Sequence, residues 1–226
     1  MHEVGVVRQV GVSGQVLLLA TRSAGKLREL HEIFAEFGLE VTDVTSLGIP
    51  ETPAEDQLER FETFEENALA KARYFFDVSG GLPTFGDDSG MCVDALGGEP
   101  GVYSKRWSGS EGLQREALDA ANNAKLVSRM ADARRSQGKE FTDTGRYVSV
   151  AAFTDHLGVE MRRGEVEGRV LQHPRGTGGF GYDPYFEAPD LGGTFAESSI
   201  QNTARNSHRS RAFRALLSAL RAQGRI

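Results

Sequence analysis

Between Gln15 and Gly38 an apolar run, QVLLLA, gives way at once to a polar turn, TRSAGK, and then to LRELHEIFAEFG. The run is compact and bounded by turn-compatible residues, so it reads as a short buried strand over Gln15 to Ala20. Leu27, Leu30, Ile33, Phe34 and Phe37 then recur at three- and four-residue spacing, which predicts a helix with Ser23 as N-cap and Gly38 as stop. A buried strand feeding an amphipathic helix must bury both in a sheet covered by helices, and LEVTDV supplies a second strand.

Downstream, Thr63 and Glu66 form a T-x-x-E capping box before a stripe of Phe64, Ala68, Ala72, Phe75 and Phe76, with Gly80-Gly81 as the end. LPTFG and MCVDAL read as short strands on either side of an acidic turn that holds Asp87 and Asp88, and a helix is expected from Gly112 to Met130. RYVSVAAFTD and VEMRRGEVEGRVL look like a hairpin joined near Asp155 to Gly158, and Phe213, Leu216, Leu217 and Leu220 mark a last helix. Strands alternate with helices early and cluster later. That order predicts an α/β fold: a mixed twisted sheet with flanking helices, two lobes around a central cleft, in one domain over residues 15–226. Residues 1–14 read as a loose extension.

Composition restricts the partners. A net charge of -6 and a pI near 5.5 leave no broad basic footprint, so a nucleic-acid polymer is not expected and any phosphate must meet a local cation. The single Cys92 excludes an internal disulfide and a Cys-rich zinc site. No apolar run reaches the roughly 18 residues of a membrane span, and no secretory signal is legible, so the expectation is a cytoplasmic protein without a membrane partner.

Four segments can carry chemistry. Thr21, Arg22, Ser23, Ala24, Gly25 and Lys26 join a strand to a helix, where free N–H groups and the positive helix end suit a phosphate; an ordinary connection with a surface lysine fits equally well. It is not a Walker A loop, which needs glycine where Ala20 stands and Ser or Thr where Leu27 stands. GTGGFG, Gly176 to Gly181, spells a dinucleotide fingerprint but precedes Pro184 and Pro189 rather than a helix, so it reads as a flexible loop presenting Phe180, Gly181, Tyr182 and Asp183. Its aromatics can stack on a base or anchor the core. His208 and Arg209 follow a cap at Ser207 and are either a solvated helix start or donors to a carbonyl or phosphate. Were Asp87, Asp88 and Glu59 to meet in one cleft, each close pair would cost about 4 kcal/mol at an effective dielectric near 20, and a divalent cation would remove that cost. Magnesium is the hard ion suited to one or two carboxylates. A plain Asp-Ser-Gly turn is the alternative, and neighbouring strand residues point opposite ways, so one aspartate is expected at the site.

The ordered set LLLATRSAGKLREL, TFEENALAKA, DDSGMCVDALGGEPGVYSKRWSG, DAANNAKL, GTGGFGYDPYF, TFAES and SHRSRAF resembles the Ham1-like non-standard purine nucleoside triphosphate pyrophosphatases. The resemblance implies magnesium-dependent cleavage of ITP, dITP and XTP to monophosphate and pyrophosphate, by a homodimer. It implies that Thr21 to Lys26 bind triphosphate, that Glu59 and Asp88 hold magnesium, that Asp88 accepts the proton of the attacking water, and that Ser89 touches substrate. Phe180 to Asp183 would shape the base pocket, and His208 and Arg209 would read the 6-oxo edge. Ser23 stands where the family usually has asparagine and Thr203 where it usually has lysine, with Arg205 a candidate replacement. RFETF also departs from the usual Thr-Gly just after Glu59. Those departures leave two other readings: a nucleotide-binding protein without turnover, and a pyrophosphatase for another modified nucleotide.

Overall fold

The computed structural model describes residues 16–110 and 112–226, so the expected extension over 1–14, and Gln15, lie outside the described residues. Seven strands form one sheet in the order β2-β1-β3-β4-β5-β6-β7. β1 (Leu17–Leu19) pairs in parallel with β2 (Val41–Asp43) and β3 (Thr84–Val93). From β3 onward the pairs are antiparallel, through β4 (Thr144–Asp155), β5 (Gly158–Val170), β6 (Phe186–Ala188) and β7 (Gly193–Thr194).

The connections explain the mixture. Helices α1 (Ala24–Glu36) and α2 (Phe64–Val78) stand between the first three strands and give the chain length to return in parallel. β4 and β5 are joined by His156-Leu157, where the Asp155 carboxylate accepts the N–H groups of Leu157 at 2.7 Å and Gly158 at 3.1 Å. Helix α5 (His208–Ala222) lies with α1 on one face, where Phe34, Phe85, Phe153 and Phe213 form the centre of a core. On the other face α2 packs Phe64, Ala68 and Ala72 on Val148, Val150 and Ala152. A further core gathers Leu126 and Met130 of α3 (Arg115–Gln137) with Met91, Tyr147 and Phe186. Among the described residues no helix is long and apolar enough to cross a membrane.

The acidic turn is not a turn. β3 runs unbroken from Thr84, opposite Thr154, to Val93, opposite Gly145, so Asp87 and Asp88 are mid-strand. Its glycines serve close packing rather than bending: a Cβ on Gly86 would stand 2.6 Å from the Ala68 carbonyl oxygen, and one on Gly90 2.3 Å from that of Gly101. α3 also differs from its expected span. It starts after Gly112, whose φ of +78° does not fit a helix, and it continues past Met130 through ADARRSQ until Gly138 closes it at φ +57°. A short helix α4 (Ile200–Asn206) was not legible; Ser199 caps it by accepting the Asn202 N–H at 3.2 Å.

Candidate active site

β1 stops at Leu19 while its neighbour β3 continues, and the last bond between them is from the Ala20 N–H to the Phe85 carbonyl at 2.7 Å. Beyond that point the edge of β3 is open, at the carboxyl end of a parallel strand pair, where α/β sheets place their ligand crevices. A cavity of about 1260 Å³ lies there. Asp87 and Asp88 point to opposite faces, as alternation requires, yet both line this cavity because the missing strand exposes the two faces together. The expectation of one aspartate at the site is corrected accordingly.

Each aspartate has its own cations. Asp87 meets Lys26 Nζ at 3.0 Å and Arg209 Nε at 3.2 Å. Asp88 accepts from Asn67 Nδ2 at 2.9 Å and from Lys71 Nζ at 3.1 Å. Lys71 also reaches Glu59 at 3.0 Å, whose second oxygen lies 3.4 Å from Lys105. Arg209 further donates to Ser89 Oγ at 2.9 Å and pairs with buried Glu29, which accepts the Ser207 hydroxyl as well. Lys71, Glu29 and Asn67 have no assigned role in the sequence reading. Their signal was positional: Asn67 and Lys71 are spaced i,i+4 beside the Ala68–Ala72 stripe, and Glu29 precedes buried Leu30, so all three are polar residues on core-facing flanks.

The charges follow from these contacts. Burial opposes the Asp87 carboxylate, but Lys26 and Arg209 win and hold its pKa well below the ordinary range. Lys71 holds Glu59 far down in the same way, while burial of Lys71 itself is outweighed by Asp88 and Glu59, which raise it. Lys26 is different: burial lowers its pKa and Asp87 offsets only part of that, with Lys71 and Arg209 adding repulsion. Its ammonium pairs with Asp87 in the cavity wall, where an incoming anion can reach it.

Around Lys26, Ser23 caps α1 by accepting the Lys26 N–H at 3.5 Å, and Thr21 Oγ1 accepts the Ser23 N–H at 3.2 Å. Thr21, Arg22, Ser23, Gly25 and Lys26 line the cavity, whereas Ala24 is exposed outside it. Thr203 lines it too and Arg205 does not, so Arg205 does not stand in for a cation there.

The Gly176–Gly181 loop lies across the cavity and is pinned, not free. Tyr182 donates its hydroxyl to the Ser104 carbonyl at 2.8 Å, Asn123 donates to the Gly181 carbonyl at 3.0 Å, and Asp119 accepts the Gly181 N–H at 3.0 Å. Asp183 accepts the Phe180 N–H at 2.8 Å and the Tyr147 hydroxyl at 3.0 Å; burial pushes its pKa up to about 7 against those bonds. Phe180 is left half-buried, its ring against Gly25, where a Cβ would stand 2.6 Å from it. His208 stacks on Tyr147 at 4.7 Å between centroids. Burial and then Arg209 push its pKa well below the usual value, so the imidazole is neutral, and its Nδ1 has no hydrogen-bond partner among the described residues.

The fold is similar to that of solved Ham1 proteins. The Coxiella burnetii HAM1 protein superposes with a TM-score of 0.75 at 29% identity, covering 92% of this chain and 100% of that one. A Mycobacterium abscessus "Nucleoside-triphosphatase / dITP/XTP pyrophosphatase" gives 0.63 at 36% identity, covering 90% and 99%. The chain belongs to the Ham1 family, which it matches over residues 17–219. A Thermus thermophilus protein named dITP/XTP pyrophosphatase is 44% identical over 206 residues, 91% of this chain and 92% of that protein. One of the same name from Halorhodospira halophila is 41% identical, covering 92% and 98%.

Proposed function

We propose that this chain hydrolyses ITP, dITP and XTP to the nucleoside monophosphate and pyrophosphate, removing non-standard purines from the nucleotide pool. The observation that carries the reading is the crevice at the end of β1, where a half-buried Lys26 in the first turn of α1 stands 3.0 Å from Asp87, next to Asp88 in the cavity wall. The names of the relatives point to the same substrates.

The donor set fits a hard divalent ion. Glu59 and Asp88 converge on the single ammonium of Lys71, so two carboxylate oxygens already meet around one cation. Magnesium keeps waters and substrate oxygens and needs only one or two carboxylates, which is what Glu59 and Asp88 offer. When bound at Glu59 and Asp88, magnesium would neutralise charge on the phosphate oxygens.

The chain's own residues supply the rest. Lys26 and the N–H groups of the first turn of α1 hold the phosphates. A water attacks the α-phosphorus, the bond from that phosphorus to the bridging oxygen breaks, pyrophosphate leaves, and Asp88 takes the water's proton before passing it to solvent. Asn67 and Lys71 fix Asp88 from two sides, so the accepting oxygen is oriented without a reorganisation step. Phe180 stacks on the base. His208 and the N–H groups of Arg209 left over from Glu29, Asp87 and Ser89 face its 6-oxo edge; a 6-amino group there would leave donors unpaired, so ATP is rejected. Incubation with ITP should give IMP and pyrophosphate. IDP with orthophosphate instead would overturn the reading. The resemblance further supports a cytoplasmic homodimer, which sedimentation and cell fractionation check.

A further inference from the structure

Arg22 sits in the phosphate-facing turn, yet its guanidinium is engaged by a different part of the chain. Nη2 and Nε clasp the two oxygens of Glu55 at 2.8 and 2.9 Å, and Nη2 also donates to the Ile49 carbonyl at 3.1 Å. Glu55 is locked in turn, its Oε1 accepting the Thr52 N–H at 3.3 Å and its backbone carbonyl the Leu58 N–H at 3.1 Å. A bidentate, partly buried arginine–carboxylate pair spanning 33 residues is a geometric constraint rather than a loose surface contact.

The constrained segment carries Glu59. Four residues after Glu55, Glu59 hangs between two anchors: the Arg22 clasp before it and Asn67 after it. Asn67 accepts the Phe61 N–H at 3.0 Å with one end of its amide and donates to Asp88 with the other. Leu58 packs on the core of Leu18, Ala20, Val44 and Phe75, which ties the backbone of the segment down between the two anchors. Asn67 thus fixes Glu59 relative to Asp88, and Arg22 fixes it relative to the turn that holds Lys26.

We propose that Arg22 is a positioning residue for Glu59, acting through Glu55, and not a ligand of the substrate phosphates. The inference rests on the proposed role of Glu59 as a divalent-ion ligand, and it ties the spacing between metal and phosphate turn to one ion pair.

The test uses the full chain with Arg22→Ala, Glu55→Ala, the exchange Arg22→Glu/Glu55→Arg, and Glu59→Gln. Two quantities are read: manganese binding, from the electron paramagnetic resonance of the free ion, and KM for ITP at saturating magnesium. Positioning predicts that Arg22→Ala and Glu55→Ala each weaken manganese binding about tenfold, the range for residues that orient a metal ligand. The exchange should restore part of it, and KM at saturating magnesium should move less than about twofold in the two single variants, since a ligand held by excess metal needs its clasp less. A phosphate ligand would behave otherwise: Arg22→Ala would raise KM and leave manganese binding alone, while Glu55→Ala would free the guanidinium and leave both unharmed. That pattern overturns the inference. If Glu59→Gln leaves manganese binding unchanged, the metal reading of Glu59 fails and the inference with it; if Glu59→Gln weakens binding and the clasp variants do not, the inference alone fails. Thermal melting of each variant separates misfolding from these outcomes, and Arg22→Lys, which keeps the charge and loses the fork, should lie between wild type and Arg22→Ala.

Discussion

Replacing Lys71 with methionine keeps the length of the side chain and removes its charge. Lys71 is buried, and its ammonium stands 3.0 Å from Glu59 and 3.1 Å from Asp88, so the two carboxylates lie within about 6 Å of each other and repel by on the order of 3 kcal/mol at an effective dielectric of 20. Removing one partner of a buried pair costs about 3–5 kcal/mol in general. Glu59 is the softer side of the contact, with 29% of its side chain exposed and Lys105 at 3.4 Å, so it can turn outward and the expected loss is at the lower end, about 3 kcal/mol. Against a total stability of about 5–15 kcal/mol that is a large change.

Urea unfolding at neutral pH, followed by the fluorescence of the single, buried Trp107, measures it. Magnesium adds the second half of the experiment. An ion that binds only the folded state at a hundredfold excess over its Kd returns about 2.7 kcal/mol, and in Lys71→Met it replaces the missing cation, so its stabilising effect should be larger than in wild type. A variant within about 1 kcal/mol of wild type in the absence of metal would refute the argument, because the carboxylates would then not be held against each other. An identical magnesium effect in both proteins would show that ammonium and metal do not serve the same oxygens.

Asp88→Asn should lower turnover of the folded protein by about 10²- to 10⁴-fold, since the amide keeps the shape and cannot take the proton, and it should also lower the melting temperature, because Lys71 loses a buried partner; near-normal steady-state rates would remove Asp88 as the base. Gly86→Ala should destabilise the fold by about 1–3 kcal/mol or more, because the new Cβ meets the backbone of α2 at 2.6 Å and helix backbone cannot give way; an unchanged urea midpoint would contradict the packing. Asp183, raised to about 7, keeps its proton when folded over a range where the unfolded chain has released it. Its contribution is therefore present below about pH 4 and lost as the pH rises through 7, up to about 4 kcal/mol in all. Compared at pH 5 and pH 7.5, wild type should lose ground to Asp183→Asn at the higher pH, and an equal difference at both would dispose of the shifted proton.

The parts of the fold written in local pattern were legible from sequence. β1, α1 with its Ser23 cap, α2 with its Thr63 cap, the β4–β5 hairpin and α5 are all short-range signals, and each is where periodicity and turn chemistry put it; Glu66 completes no box at Thr63, its carboxylate accepting the Thr63 hydroxyl instead of the Thr63 N–H. The misread element was β3. Asp-Asp-Ser-Gly has turn composition, but Gly86 and Gly90 exist because α2 and the turn at Gly101 press on the strand, and that pressure comes from residues far away in sequence. α4 was missed for a related reason: its seven residues present one buried position, Ala204, too few to show a period. The site divides likewise. Residues in recognisable segments, Lys26, Asp88, His208 and Arg209, all reach the cavity, while Lys71 and Glu29 are visible only as polar residues on buried faces, whose partners the fold alone supplies.

The charge count of the site sets a condition on how substrate enters. Counted as formal charges, the connected lattice holds Lys26, Lys71 and Arg209 against Glu29, Glu59, Asp87 and Asp88, three cations to four acids, before any phosphate arrives. Only Lys105, at the exposed edge, makes the balance even. A triphosphate would therefore meet a site with no surplus of positive charge, and the attraction of Lys26 would be offset by four nearby carboxylates. The divalent ion supplies the surplus, so metal and nucleotide should bind with positive coupling, each improving the affinity of the other by the same factor. Calorimetric titration of the wild-type chain with an α,β-methylene analogue of ITP, whose scissile bond is not hydrolysed, should give an affinity about tenfold to a hundredfold weaker in EDTA than in magnesium. Equal affinity in the two buffers would mean that rim cations such as Arg60 and Arg106 carry the phosphates by themselves, and that the Lys71-bridged carboxylates do not couple metal to nucleotide.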